Sequence, residues 1–279
     1  MKHAEGSFIG VKKQRIYHQS WLPAKPKATV VIAHGLGEHG GRYAEVAQVL
    51  NDIGCAVYAI DHRGHGKSDG VRAFVDKFAN AVADMDQLVD LARRAQPTKP
   101  LFLLGHSMGG ALSLSYALKH GAKLNGLLLS GPAVALDGAP PFLGPLSKLL
   151  ASIVPKLGMF AVDPSLVSRD QDEVAKYASD PLNAHGKVPV RTLAEIVRFV
   201  EWLPAALPAL KLPTLLMHGR DDKLAGVAGS QMIYDRISAT DKTLHIYDEL
   251  YHEIFNELPA DRARVFKDMT TWLSARLPA

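Results

Sequence analysis

The stretch Leu101–Ala111, LFLLGHSMGGA, leaves this chain few ways to fold. Leu101 to Leu104 form a short apolar run that reads as a buried strand, and Gly110 to Leu118 read as a helix. Only Gly105, His106, Ser107, Met108 and Gly109 lie between them. A strand that becomes a helix over so few residues brings two backbones together, and side chains at 105 and 109 would clash with the neighbouring strand and helix. The pattern is G-x-S-x-G, with the serine at the apex of the turn. A hydroxyl exposed there can meet a histidine on one side and a substrate carbonyl on the other. Five residues match such a pattern by chance often enough, so the reading depends on partners further along the chain.

The surrounding rhythm is that of an α/β protein. Thr29–Ala33, Cys55–Ile60, Leu124–Ser130 and Pro213–Met217 are nearly continuous apolar runs, as strands covered on both faces require. Helices expected over about 42–51, 77–95, 230–237 and 261–276 fall among them. In the second, Phe78, Val82, Met85, Leu88, Val89 and Ala92 recur at helical spacing. Strand, helix and strand in succession predict a parallel sheet. Two antiparallel strands between Phe8 and Trp21 precede it, and Thr243–Tyr247 is the last strand.

From Pro132 to about Ala209 the alternation breaks down. Leu143, Leu146, Leu149, Leu150, Ile153, Val154 and Leu157 form a broad apolar face interrupted by prolines. Part of it must pack on the main domain, or a large apolar patch would remain exposed. The expected organisation is a core of residues 1–131 and 210–279 with a helical cap, or lid, inserted over 132–209.

A serine elbow takes its acid after a late strand and its histidine after the last one. His218-Gly-Arg-Asp-Asp222 follows the strand ending at Met217 and offers two carboxylates. Asp222 is preferred, because the chain has room to turn before presenting it; Asp221 stands as the alternative. Asp248-Glu-Leu-Tyr-His252 follows the last strand and supplies His252 as base, whereas His245 lies within that strand. The oxyanion of an acyl-transfer intermediate needs two backbone donors. The amide of Met108, just after the serine, is one. The amide of Leu36, in the loop after Thr29–Ala33, is the other.

Other chemistries have weaker support. Gly35-Leu-Gly-Glu-His-Gly40 also fits G-x-G-x-x-G, and Asp61 follows at the spacing of a dinucleotide fingerprint. An NAD-type oxidoreductase would leave Ser107, Asp222 and His252 unexplained. His34, His39, His62, His65 and His106 match no metal signature, so no metal is expected and loop hydrogen bonding is the account given to them. The net charge of +4 comes from dispersed lysines and arginines, which argues against a nucleic-acid surface. Cys55, the only cysteine, excludes an intramolecular disulfide and sits in an apolar run. No stretch reaches about 18 apolar residues, and residues 1–6 lack a signal-peptide core. A cytoplasmic protein is expected, with peripheral contact to membranes, lipid droplets or the cell wall as the alternative. Composition gives no oligomeric state.

Taken together, His34–Tyr43 (HGLGEHGGRY), Asp61–Ser68 (DHRGHGKS), Gly105–Gly109 and Tyr251-His252 resemble the α/β-hydrolase superfamily. Within it they are similar to the monoacylglycerol lipases and related lysophospholipases. Ser168-Arg-Asp170 and Asp180-Pro-Leu182 are similar to the cap of bacterial enzymes of the mycobacterial type. The resemblance spans nearly the whole chain. It implies a mostly parallel eight-stranded sheet with helices on both faces beneath a helical cap. It also implies a cofactor-independent serine carboxylester hydrolase that splits a single-chain glyceride into glycerol and fatty acid. Lysophospholipase, general carboxylesterase or acyltransferase activity on the same three residues is the alternative, and a non-catalytic ligand receptor the remote one. Glu38 and Arg42, beside the oxyanion loop, are implied either as contacts to the glycerol end or as a salt bridge that fixes the loop.

Overall fold

The computed structural model describes residues 1–135 and 143–278, with only the backbone of Leu143. Residues 136–142 of the expected cap lie outside the described residues, as does the Leu143 side chain.

Two antiparallel strands, β1 (Lys2–Ile9) and β2 (Arg15–Leu22), lead into β3 (Ala28–Ala33). A 3-10 turn at Gly40–Tyr43 runs into α1 (Ala44–Asp52), followed by β4 (Cys55–Ile60), α2 (Phe78–Ala95), β5 (Leu101–His106), α3 (Met108–His120) and β6 (Gly126–Ser130). The chain then leaves the sheet for α4 (Leu143–Ile153), β7 (Gly158–Phe160), α5 (Gln171–Ser179), β8 (Val188–Pro189) and α6 (Val190–Ala206). It returns with β9 (Thr214–Gly219), α7 (Ala228–Arg236), β10 (Lys242–Tyr247) and α8 (Pro259–Ser274).

The main sheet has eight strands in the order β1-β2-β4-β3-β5-β6-β9-β10. Pairing is parallel from β4 through to β10, and antiparallel where β2 meets β1 and β4. This is the α/β-hydrolase fold. Alternation along each strand divides the core. Val31, Leu103, Leu127 and Leu216 face α2, α3, α7 and the second half of α6. Val30, Phe102, Leu128 and Leu215 face α1 and α8. Both faces are covered, which is why these strands read as unbroken apolar runs.

The inserted segment is not wholly helical, because β7 and β8 form a second, two-stranded antiparallel sheet. Strands of three and two residues are too short to carry a periodicity. Helix α6 joins the insertion to the core: Val190 and Ala194 cluster with Ala151 of α4, while Phe199 and Leu203 belong to the core under α2. Ser168 Oγ donates to the Asn256 carbonyl at 2.7 Å, and Arg169 pairs with Glu257 at 3.0 Å and with Asp261. The Ala184 amide donates to the Gly37 carbonyl at 2.7 Å. The Ser168–Asp170 and Asp180–Leu182 motifs thus lie where the insertion meets the loops after β3 and β10.

Candidate active site

The loops that follow β3, β5, β9 and β10 emerge at the carboxyl edge of the sheet, where open α/β sheets bind ligands. Ser107 occupies the β5–α3 turn with φ 53° and ψ −121°, a left-handed backbone that a non-glycine residue adopts only under constraint. The constraint is visible in the glycines. A Cβ on Gly105 would collide with Ser113 and the Gly109 carbonyl, and one on Gly109 with the Ala33 and His34 carbonyls. Met108 begins α3, so its amide is one the helix itself leaves without a partner. Leu36, Met108 and Ser107 line one cavity together with His252.

His252 Nδ1 lies 2.6 Å from Asp222 Oδ2. Asp222 is held from its other side, where Oδ1 accepts the amides of Leu224 and Ala225, each at 2.8 Å. Burial pushes this carboxyl up, but the imidazoles of His252 and His218 pull it far below the usual carboxylate range, so it stays ionised. Burial alone would favour neutral His252; the Asp222 carboxylate more than offsets this and holds the imidazole above its ordinary value. Asp221 points to solvent while its amide donates to the Leu250 carbonyl, so the turn directs only the second of the two acids inward. His245 stays within β10, its ring stacked on Tyr247.

Glu38 is buried and accepts from the Gly35 amide (2.5 Å), the Tyr43 hydroxyl (2.8 Å) and Arg42 Nη1 (2.8 Å). Arg42 also forms a two-pronged pair with Glu253, at 2.6 and 2.7 Å, with its guanidinium over the Tyr177 ring at 4.8 Å. Such a fork is the strongest form of a carboxylate pair. It ties the loop after β3 to the residue following His252. Glu38 lines the cavity of Ser107, whereas Arg42 lies behind that wall.

Two participants, Glu253 and Tyr177, escaped the sequence reading, and His106, assigned there to loop hydrogen bonding, also joins the site. Glu253 is signalled only by adjacency to His252. His106 is buried in the cavity wall, its ring 4.7 Å from that of His252. Its Nδ1 donates to the Ser130 carbonyl at 3.0 Å, and burial pushes it down to about 4, so it is neutral at physiological pH. Tyr177 arrives from α5, across the insertion, with no local signal. Loop hydrogen bonding does account for His34, His39 and His65, whose rings bond to Gly35, Asp180 and the Arg63 carbonyl. It fails for His62: neither ring nitrogen has a partner among the described residues, and the ring packs 4.4 Å from His34 instead.

The dinucleotide reading fails on the same loop. Asp61 is fully buried, and its two carboxylate oxygens accept the Gly40 and Lys67 amides at 2.8 Å each. No carboxylate oxygen is left to face a ribose; the glycines serve a turn beside Ser107.

A family described as serine aminopeptidase, S33, matches residues 24–259. The chain belongs to this family of serine hydrolases. The monoacylglycerol lipase of Mycolicibacterium smegmatis (strain ATCC 700084 / mc(2)155) is 40% identical over 276 residues, covering 98% of each chain. The monoglyceride lipase of Homo sapiens is 36% identical over 271 residues, 96% of this chain and 89% of that one. Among solved structures, Paleococcus ferrophilus monoacylglycerol lipase superposes with a TM-score of 0.85 at 31% identity, over 93% of this chain and 98% of that one. Within the serine hydrolases, the chain therefore groups with the monoacylglycerol lipases.

Proposed function

We propose that this serine hydrolase cleaves single-chain glycerides to glycerol and fatty acid through an acyl-enzyme on Ser107. The observation that carries the reading is the 2.6 Å contact of His252 with an ionised, buried Asp222, beside the strained Ser107 turn in a largely apolar cavity. His252 takes the Ser107 proton as Oγ attacks the ester carbonyl, and Asp222 holds the reactive tautomer and stabilises the imidazolium. The Leu36 and Met108 amides receive the oxyanion. His252 then protonates the departing glycerol oxygen and activates the water that frees the acid.

The cavity walls favour an acyl chain over a peptide. Leu36, Val162, Leu193, Ile196 and Leu224 line it, and each buried methylene of a chain contributes about 0.8 kcal/mol. A peptide's free amino end would need an unpaired carboxylate. Among the described residues, both acids in the wall, Glu38 and Glu253, are already engaged by Arg42. In this reading Arg42 fixes the oxyanion loop and does not touch substrate, and Glu38 does the same from the cavity edge.

The inserted residues 132–209 act as the cap over the core formed by 1–131 and 210–279. Leu149 and Ile153 on α4, Leu157 and Phe160 after it, and Trp202 on α6 are exposed, and Phe160 also lines the cavity. Exposed apolar side chains on the insertion, Phe160 among them in the cavity wall, suit peripheral contact with lipid; among the described residues, no helix is long and apolar enough to cross a membrane.

A panel of mono-, di- and triacylglycerols and lysophospholipids tests the assignment. Monoacylglycerols are expected to give the highest kcat/KM, by about tenfold or more over the two- and three-chain glycerides. Equal rates on all glycerides, or preference for a lysophospholipid, would overturn it.

The pH dependence separates chemistry from folding. Because Asp222 holds His252 above its ordinary value of about 6.5, the acid limb of kcat/KM is expected above that value. The same pair contributes stability that is fully present below about 6.5 and fades as pH rises through the folded value, so this activity loss is not unfolding. His62, His65 and His106 behave oppositely, since burial pushes them down to about 3, 4 and 4. Their stability contribution is present above about 6.5 and fades as pH falls toward 4. Activity should therefore fall before the melting temperature does. A pH–rate profile alongside thermal melts checks this; coincident losses would contradict it.

A further inference from the structure

The hydrogen-bonded line that begins at His252 does not stop at Asp222. His218, near the end of β9, is completely buried. Its Nε2 lies 3.1 Å from Asp222 Oδ2 and 2.7 Å from the Ala225 carbonyl oxygen. Its Nδ1 lies 2.7 Å from Ser230 Oγ, on the first turn of α7 and equally buried. Both oxygens facing Nε2 are acceptors, so Nε2 carries the hydrogen and Nδ1 accepts the Ser230 hydroxyl proton. One N–H thus spans both ends of the acid's turn, the carboxylate of residue 222 and the carbonyl of residue 225.

We infer that His218, held in its Nε2–H tautomer by Ser230, is a positioning residue that aims Asp222 Oδ2 at His252 Nδ1. The inference rests on the Ser107–His252–Asp222 reading above. Nothing about packing alone calls for an imidazole here, since an apolar side chain would fill the site without the cost of burying polar atoms. Every polar atom of His218 is instead matched, two of its three contacts to the acid's turn. The donor also draws charge from the oxygen that grips the His252 proton. Without it, Asp222 orients less well, which lowers kcat, and holds the imidazolium more strongly, which moves the acid limb to higher pH. KM is set by cavity walls to which His218 does not belong. Among the described residues, the other titratable groups facing His252 are His106 on β5, Glu253 next to it and Glu38 on the loop after β3. All are kept in the variants below, so a shift between variants reports on His218.

The test uses His218→Leu, His218→Gln and Ser230→Ala in the full chain, with Ser107→Ala as the blank. Each is assayed on p-nitrophenyl butyrate for kcat, KM and the pH profile of kcat/KM, with circular dichroism to confirm folding. His218→Leu is expected to lose about tenfold in kcat with KM within about twofold, and to move the acid limb up by about half a pH unit. Ser230→Ala should change both in the same direction, by about threefold in kcat. Glutamine places an N–H close to that of the imidazole Nε2, so His218→Gln should restore kcat to within about twofold of the parent. Wild-type kcat and acid limb in both His218→Leu and Ser230→Ala would overturn the inference. So would losses that glutamine does not rescue and that leave the pH profile unmoved, since those mark packing alone. If His218→Leu does not fold, the two milder variants decide the question. Residual hydrolysis in Ser107→Ala would instead sink the reading of the site itself, so the two failures are distinguishable.

Discussion

Replacing Ser107 with alanine is expected to lower kcat by about four orders of magnitude or more and to abolish labelling by a fluorophosphonate. The variant loses one oxygen at the apex of a turn whose geometry is imposed by Gly105, Gly109 and the packing of α3 against β3 and β5. Its melting temperature should therefore stay close to that of the parent. Ser107→Gly should be equally inactive and at least as stable. Glycine relieves the left-handed φ of 53°, a relief of about 1 kcal/mol partly offset by its greater entropy when unfolded. Rate measurements and melts on the two variants check both halves. Hydrolysis above about a hundredth of the parent rate in either would mean that another group can serve as nucleophile.

Asp222→Asn is expected to lower kcat by about 10³ to 10⁴, while Asp221→Asn stays within about twofold. The amides of Leu224 and Ala225 already select an oxygen at the Oδ1 position, so the new NH₂ must occupy the Oδ2 position. There it meets the N–H of His218 and faces His252 Nδ1. Against His218 it sets donor to donor, which costs about 1 to 3 kcal/mol of stability. Against His252 it forces Nδ1 to accept, which places the hydrogen on Nε2, where the base needs a lone pair. Parallel kinetics and melts of the two asparagine variants check this. Equal losses at 221 and 222 would contradict the geometry of the turn.

Much of the fold is legible in the chain because its parallel strands are buried on both faces. Continuous runs such as Val30–Ile32 and Leu127–Leu129 need no tertiary knowledge to be recognised. The elbow is equally plain, since Gly105 and Gly109 are placed by close approach of backbones. Order along the chain leads to a late acid and a last histidine. The physical reason for Asp222 over Asp221 lies in a turn closed by the Leu250 carbonyl, by the amides of residues 224 and 225, and by His218, none of which shows in periodicity. The Arg42–Glu253 fork joins positions 211 residues apart, and Tyr177 reaches that fork from the insertion. Such contacts are made by the sheet bringing its loop ends together, so they carry no local signal. The two short strands of the insertion are hidden for a similar reason: β7 and β8 are ordered by each other and by α6.

Hydrolysis of monoacylglycerols by this protein is expected to pass through Ser107. This expectation is tested most directly by titrating the protein with a fluorophosphonate while following 1-monoacylglycerol hydrolysis, and locating the adduct by peptide mass spectrometry. A single adduct is expected, on the peptide carrying Ser107, with residual hydrolysis falling in proportion to the fraction labelled. Complete labelling of Ser107 with hydrolysis intact, or loss of activity with the adduct on another residue, would contradict it.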